Sequence, residues 1–167
     1  MTRKELIKKL RALHIIYKEK FVLRSGKSSN YYCDIKKTFG SSKILKEIAS
    51  HLSKLIPKNA TCVAGLGYGG IPLAIAVSFI SGLKLCLVRG KKKNHGRNVF
   101  VEGYVPEALD KIVIVDDVIS TGGSIKETIK ILRKTKGKVI GAIVVIKRGE
   151  TKVGVPVKTL FSVKELL

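Results

Sequence analysis

K-I-V-I-V-D-D-V-I-S-T-G-G-S, residues Lys111 to Ser124, carries four β-branched apolar residues, Ile112 to Val115, into two adjacent carboxylates, Asp116 and Asp117, and then into hydroxyls and glycines. An apolar run without polar alternation suits a strand covered on both faces, as in a parallel α/β sheet, and such sheets bind ligands at the carboxyl ends of their strands. Ser120, Thr121, Gly122, Gly123 and Ser124 then offer backbone N–H groups and hydroxyls where an apolar-periodic helix begins, the arrangement that captures a phosphate. Each fragment alone has a structural explanation, since D-D can open a turn and Ser120 or Thr121 can cap a helix. Joined between a strand and a helix, they predict a ligand with a phosphate on a polyhydroxylated body. The carboxylates would accept from its hydroxyls, with or without a metal alongside.

The 167 residues suit one domain around a single core. The stretch 59–83 is uncharged but broken by Gly, Ser, Thr and Pro, and its most apolar part, Ile71 to Leu83, stops short of the roughly 18 residues of a membrane span. The N-terminus M-T-R-K-E-L-I-K-K-L lacks an apolar signal core, so an intracellular protein is expected. Cys33, Cys62 and Cys86 are widely spaced and show no zinc-ligand pattern, which reads as reduced thiols in or near the core. The net charge of +21 favours anionic partners, either nucleic acid or small polyanionic substrates.

Leu6, Ile7, Leu10 and Leu13 predict an amphipathic helix over residues 3–14. Phe21 to Asp34, F-V-L-R-S-G-K-S-S-N-Y-Y-C-D, predicts a hairpin turning at Ser25-Gly26-Lys27-Ser28, a lid or rim with basic residues and paired tyrosines. Ser41 or Ser42 caps a helix from Lys43 to about Leu55, which Pro57 stops. A buried strand over Thr61–Leu66 leads to G-L-G-Y-G-G-I-P and a helix over Ile71–Ile80. Gly65, Gly67 and Gly70 satisfy G-x-G-x-x-G, but no Asp or Glu occurs between Glu47 and Glu102, so the ribose-binding acid of a dinucleotide fold is missing. A strand over Leu83–Val88 delivers the basic loop R-G-K-K-K-N-H-G-R, residues 89–97. That loop reads either as a solvated charge run or as a lid that closes over a polyanion and meets its developing charge. After the central motif come a helix striped by Ile125, Ile129 and Leu132 and ending near Gly137, a buried strand over Val139–Ile146 with Lys147 and Arg148 at its end, and a last strand over Val155–Ser162.

The central stretch resembles the phosphoribosyl pyrophosphate (PRPP) motif of the type I phosphoribosyltransferases throughout. Three further features resemble the orotate phosphoribosyltransferases among them. These are the hairpin with its leucine, basic residue, S-G and two aromatics before an acid; the loop, where Arg89, Lys93, His95 and Gly96 match R-K-x-x-K-x-H-G except at Gly90; and Arg148 after a strand. The resemblance implies an α/β type I phosphoribosyltransferase fold, a central mostly parallel sheet flanked by helices with a small N-terminal hood. One domain would cover residues 1–167, with about 1–40 as hood and 41–167 as core.

The implied reaction joins orotate to PRPP, giving orotidine monophosphate and pyrophosphate with Mg²⁺. The enzyme would be a cytoplasmic homodimer whose loop 89–103 is shared between sites. Asp116 and Asp117 would serve the ribose hydroxyls and, indirectly with PRPP oxygens, the Mg²⁺. Lys93 and His95 would act with them in catalysis, while Arg89, Lys91 and Lys92 neutralise pyrophosphate and Tyr68 and Gly69 lie against it. Ser120, Thr121, Gly122, Gly123 and Ser124 would hold the 5′-phosphate, Arg24 would contact PRPP, and Tyr31, Tyr32 and Arg148 would frame orotate. Three positions depart from the family pattern. Tyr68 or Gly69 stands where some orotate enzymes carry a lysine, Gly90 where a lysine is common, and Lys147 where an acid is typical; Lys91 or Lys92 is the expected substitute for the lysine missing at Gly90. Two other readings stay open: transfer to another nucleobase, and a PRPP-sensing regulator that binds nucleic acid. The charge permits the second, but no helix-turn-helix or aromatic RNA-binding signature accompanies it.

Overall fold

In the computed structural model, which describes residues 1–22, 26, 28–90 and 99–167, α1 (Arg3–Ala12) is followed by four two-residue strands, β1 (Ile16–Tyr17), β2 (Phe21–Val22), β3 (Ser28–Ser29) and β4 (Tyr32–Cys33), and a 3-10 helix over Ile35–Gly40. Then come α2 (Ser42–Ser53), β5 (Cys62–Leu66), α3 (Gly67–Ser81), β6 (Lys84–Val88), β7 (Val101–Gly103), β8 (Lys111–Ile119), α4 (Gly123–Leu132), β9 (Lys138–Lys147) and β10 (Val157–Ser162). The main sheet has the order β10-β9-β8-β5-β6-β7, parallel throughout except for β7, which runs antiparallel to β6. This is the expected mostly parallel sheet. The short strands form two small antiparallel pairs, β1 with β4 and β2 with β3, beside it.

Two-sided burial explains the continuous apolar run in β8. Side chains alternate across a strand, so Val113 and Val115 enter one core with Leu73, Val77, Ile48 and Leu52 from α3 and α2, while Ile112 and Ile114 enter a second with Ile125, Ile129 and Leu132 from α4. Leu6 and Leu10 of α1 join the first core, which also takes in Cys33 of β4 and, at its edge, Ile16 of β1. Ser41 caps α2, its hydroxyl accepting from the Ile44 N–H at 3.4 Å.

Three boundaries move for physical reasons. Strand β8 continues through Asp116 and Asp117 to Ile119, because the ten-residue β9 keeps pairing with it as far as Lys147. Helix α3 begins at Gly67 instead of Ile71, taking the glycine loop into its first turn. Part of the expected loop 89–103 is ordered as β7, with Val101 opposite Val88 and Glu102 opposite Leu87.

At the amino ends of the parallel strands, Asp110 is 5% exposed. It accepts from Tyr104 Oη at 2.6 Å, Thr61 Oγ1 at 2.7 Å, the Glu107 N–H at 2.8 Å and Lys84 Nζ at 3.3 Å. These bonds, the one from Tyr104 foremost, hold its carboxyl well below the usual carboxylate range. Because the folded-state value is depressed, this stabilisation is present above the ordinary value of about 3.9 and disappears as pH falls through the lower one. Asp110→Ala is expected to cost about 1–3 kcal/mol in urea unfolding at pH 7 by removing the one acceptor that serves four part-buried hydrogen bonds. The gap between variant and wild type should narrow progressively below pH 4.

Candidate active site

Strand order reverses at β5: the chain passes from β5 to β6 on one side and later places β8 on the other. At such a point the carboxyl ends of neighbouring strands open a crevice. Here β5 runs directly into α3, and β8 into α4 after a short turn. Neither helix has a side-chain cap at its amino end. First-turn residues of both line one cleft of about 590 Å³, which therefore combines two helix amino ends favourable to anions with the acid pair of β8.

Asp116 is 7% exposed, and its Oδ1 accepts the Asp117 N–H at 2.9 Å. Burial first, and then the neighbouring Asp117 charge, push its carboxyl well above the usual range. Asp117 is more open, and its Oδ1 accepts the Val118 N–H at 2.7 Å. The glycines after β5 bring α3 against these acids. A Cβ on Gly69 would stand 2.4 Å from Cγ of Asp117, one on Gly70 would stand 2.8 Å from the Val115 carbonyl oxygen, and one on Gly65 would stand 2.5 Å from that of Gly70. Of the G-x-G-x-x-G glycines, Gly70 thus packs α3 on β8, Gly65 packs β5 on α3, and Gly67 turns the chain at φ 67°.

The stretch expected to hold a phosphate forms a left-handed turn into α4. Gly122 is the N-cap at φ 76°, and a Cβ there would meet Val153 Cγ1 at 2.4 Å, so conformation and space both select glycine. Ser120 and Thr121 do not cap the helix; Ser120, Thr121, Gly123 and Ser124 line the cleft. Thr151 braces the turn by donating its hydroxyl to the Ser120 carbonyl.

On the other side of the cleft, Arg148 ties the sheet to the small strands. Its Nη2 donates to Ser29 Oγ at 2.5 Å and to the Tyr31 carbonyl at 3.1 Å, and its guanidinium lies 4.4 Å from the Tyr31 ring centroid. Its Nε is buried and has no hydrogen-bond partner among the described residues. The tyrosine pair is therefore divided: Tyr32 lines the cleft, while Tyr31 supports Arg148.

Tyr68 and Gly69 also line the cleft. Arg89 does not; its Nε donates to Glu102 Oε2 at 2.7 Å across the β6–β7 pair. A Cβ on Gly90 would lie 2.8 Å from Oε1 of Glu127, a cleft residue of α4, so the position without a lysine borders the site. Lys147 pairs with Glu150 at 3.0 Å. Arg24, Lys91, Lys92, Lys93 and His95 lie outside the described residues. Sequence reasoning missed Cys33, Lys36 and Glu127, all of which line the cleft. Lys36 carries the plainest chemistry, with Nζ 3.1 Å from Asp34 Oδ1 and 4.0 Å from Asp117 Oδ2. Among the described residues no helix is long and apolar enough to cross a membrane.

Residues 32–165 match the model of the phosphoribosyl transferase domain. The chain belongs to the phosphoribosyltransferase family. It is 39% identical to an orotate phosphoribosyltransferase of Methanocaldococcus jannaschii over 98% of this chain and 96% of that one. It is 41% identical to an orotate phosphoribosyltransferase of Pyrococcus horikoshii over 78% and 71% of the two chains. The crystal structure of orotate phosphoribosyltransferase from Aeropyrum pernix superposes with a TM-score of 0.82 at 29% identity, covering 96% of this chain and 95% of that one. The acid pair, cradle and glycine turn of this phosphoribosyltransferase thus sit in a fold shared along nearly the whole chain.

Gly69→Ala tests the packing of α3 on the acid pair. The added methyl must displace the Asp117 carboxyl, and misplacing a catalytic group by about an ångström costs about 10²-fold in rate. Turnover should fall by about that factor while the far-ultraviolet circular dichroism stays that of wild type.

Proposed function

We propose that this phosphoribosyltransferase transfers the phosphoribosyl group of PRPP to orotate with Mg²⁺, forming orotidine monophosphate and pyrophosphate in pyrimidine nucleotide synthesis. The observation that carries the reading is one cleft holding an acid pair, an uncapped helix turn and, at its rim, an arginine after β9. Those parts match the ligand in order: hydroxyls for Asp116 and Asp117, a phosphate for Ser120 to Ser124, and an anionic base for Arg148. Orotate's carboxylate suits a guanidinium whose Nε still lacks a described partner. The names of the relatives point to the same substrate for those proteins.

The transfer needs no protein nucleophile, because the base attacks C1 as pyrophosphate leaves. The residues therefore act by positioning and by charge. The α4 turn fixes the 5′-phosphate, Asp116 and Asp117 accept from the ribose hydroxyls, and the arginine aligns the base. Arg89, Lys91, Lys92, Lys93 and His95 are proposed to neutralise pyrophosphate, with Arg89 exchanging Glu102 for substrate, and Arg24 to contact PRPP. The acid pair also fits a magnesium ion. Each Oδ1 is held by a backbone N–H, leaving a second oxygen on each carboxyl. Two hard oxygens beside a polyphosphate suffice for a cation that keeps its waters. When bound, Mg²⁺ would supply positive charge to the pyrophosphate oxygens.

A homodimer is part of the proposal. On α3, Tyr68, Ile75 and Phe79 share one face, exposed 90%, 47% and 91%, opposite the buried Leu73, Ala74 and Val77. This apolar stripe starts at the cleft, where Tyr68 is a lining residue, so a second copy seated on it would adjoin the site. Phe79→Asp should shift the mass measured by light scattering from dimer to monomer and lower turnover; an unchanged dimer would exclude this face.

The decisive assay follows orotate absorbance with PRPP and Mg²⁺, omitting each in turn. Loss of absorbance is expected only in the complete mixture, and consumption of adenine or another base instead would redirect the assignment. The double variant Asp116→Asn, Asp117→Asn should have no measurable turnover, and near wild-type rates would refute the roles given to the pair.

A further inference from the structure

Lys36 stands beside the acid pair without having been given a role. It lies in the 3-10 helix over Ile35–Gly40, whose Ile35 and Thr38 are fully buried, with Thr38 Oγ1 donating to the Ile35 carbonyl at 2.6 Å. That anchorage fixes the backbone of Lys36 and leaves its side chain 39% exposed at the cleft. An ammonium has three donors. One is directed to Tyr32 Oη at 3.3 Å, and Asp34 Oδ1 lies at ion-pair distance, 3.1 Å, without being hydrogen-bonded. Asp117 Oδ2 follows at 4.0 Å, an ion-pair separation too long for a hydrogen bond.

The charge balance of the cleft calls for such a donor. Its described lining carries three acids, Asp116, Asp117 and Glu127, against two cations, Lys36 and Arg148. Arg148 is engaged with Ser29 and Tyr31. Lys36 is therefore the described cation next to the acids. Its side of the cleft is also chemically distinct. The cradle belongs to α4, whereas Asp117 packs against Gly69 of α3 and faces Lys36. With the 5′-phosphate on α4 and the ribose hydroxyls on the acid pair, the substituent on C1 projects away from α4, toward α3 and Lys36.

Resting on the PRPP reading above, we infer that Lys36 is a further catalytic residue, donating from Nζ to the pyrophosphate of PRPP and meeting the charge that develops there as the bond to C1 breaks. The geometry separates this from a role confined to holding Asp117. A pyrophosphate donor acts on ligands that contain pyrophosphate, whereas a support for Asp117 acts equally on ribose 5-phosphate, which has the hydroxyls and the 5′-phosphate alone.

The test compares Lys36→Met, Lys36→Arg and the neighbouring Lys37→Met by steady-state kinetics and by calorimetric titration with PRPP, pyrophosphate and ribose 5-phosphate in Mg²⁺. Loss of one charge-assisted hydrogen bond corresponds to about tenfold or more in affinity. Lys36→Met should weaken PRPP and pyrophosphate by about that factor, lower kcat by at least as much, and leave ribose 5-phosphate unchanged, with Lys36→Arg recovering most of the loss. Lys37, whose Nζ lies 3.3 Å from the His14 carbonyl oxygen and 4.4 Å from the Tyr17 ring centroid, should tolerate Met without effect. Unchanged PRPP and pyrophosphate binding in Lys36→Met, or an equal loss for ribose 5-phosphate, would overturn the assignment. Absence of turnover in the wild-type chain would instead overturn the reaction beneath it, and that is seen before any substitution is made.

Discussion

Two adjacent carboxylates in one cleft are tolerable only if the backbone around them is positive and close, and here that rests on the contact between the first turn of α3 and β8. Gly69 comes so near Asp117 that no Cβ fits between them. Gly70 comes nearly as close to the Val115 carbonyl. The amino end of α3 is thereby seated over the acid pair, while α4 begins on the other side of the same strand end. Helix amino ends carry partial positive charge without the desolvation cost of a buried lysine. The acid pair and the glycine turn share one crevice because two uncapped helices start there.

The same contact separates the two acids. Asp116 points into the buried side and is pushed toward its neutral form, whereas Asp117 lies at the opening within ion-pair distance of Lys36. Neighbouring carboxyls in unlike surroundings can take unlike roles. One is suited to a neutral polar group deep in the cleft, the other to a charged group at its opening. The approach of Gly90 to Glu127 adds a further acid near the rim, where a longer side chain at residue 90 would have to displace it.

Arg148 connects this chemistry to the small strands. Its bonds to Ser29 and to Tyr31 span 119 and 117 residues of sequence. They close the hood onto the end of β9 with one side chain. The Nε, unpartnered among the described residues, stays on the same guanidinium, so whatever it binds is held beside the contact with Ser29 and Tyr31.

Much of this was legible in the sequence. The β-branched run Ile112–Val115, the amphipathic stripes of α1, α2 and α4, and the acid pair followed by S-T-G-G are local patterns whose physics is local: alternation, helical period and turn stereochemistry. They determined the α/β class, the order of the main strands and helices, and the glycine turn into α4. What the sequence left undecided depended on contacts between distant segments. Nothing in Y-Y-C-D-I-K-K distinguishes Lys36 from Lys37 or Tyr31 from Tyr32; a 3-10 turn sends one lysine to the cleft and the other to His14, and Arg148 claims one tyrosine as its platform. The carboxylates read as a strand end, yet pairing with β9 holds them within β8. Arg89 read as a ligand for anions, yet the antiparallel β7 sets Glu102 against it. Period and propensity act over a few residues and fix the elements. The partner of a charged side chain is chosen by whichever segment the fold brings within about 4 Å, and that was decided by the tertiary structure.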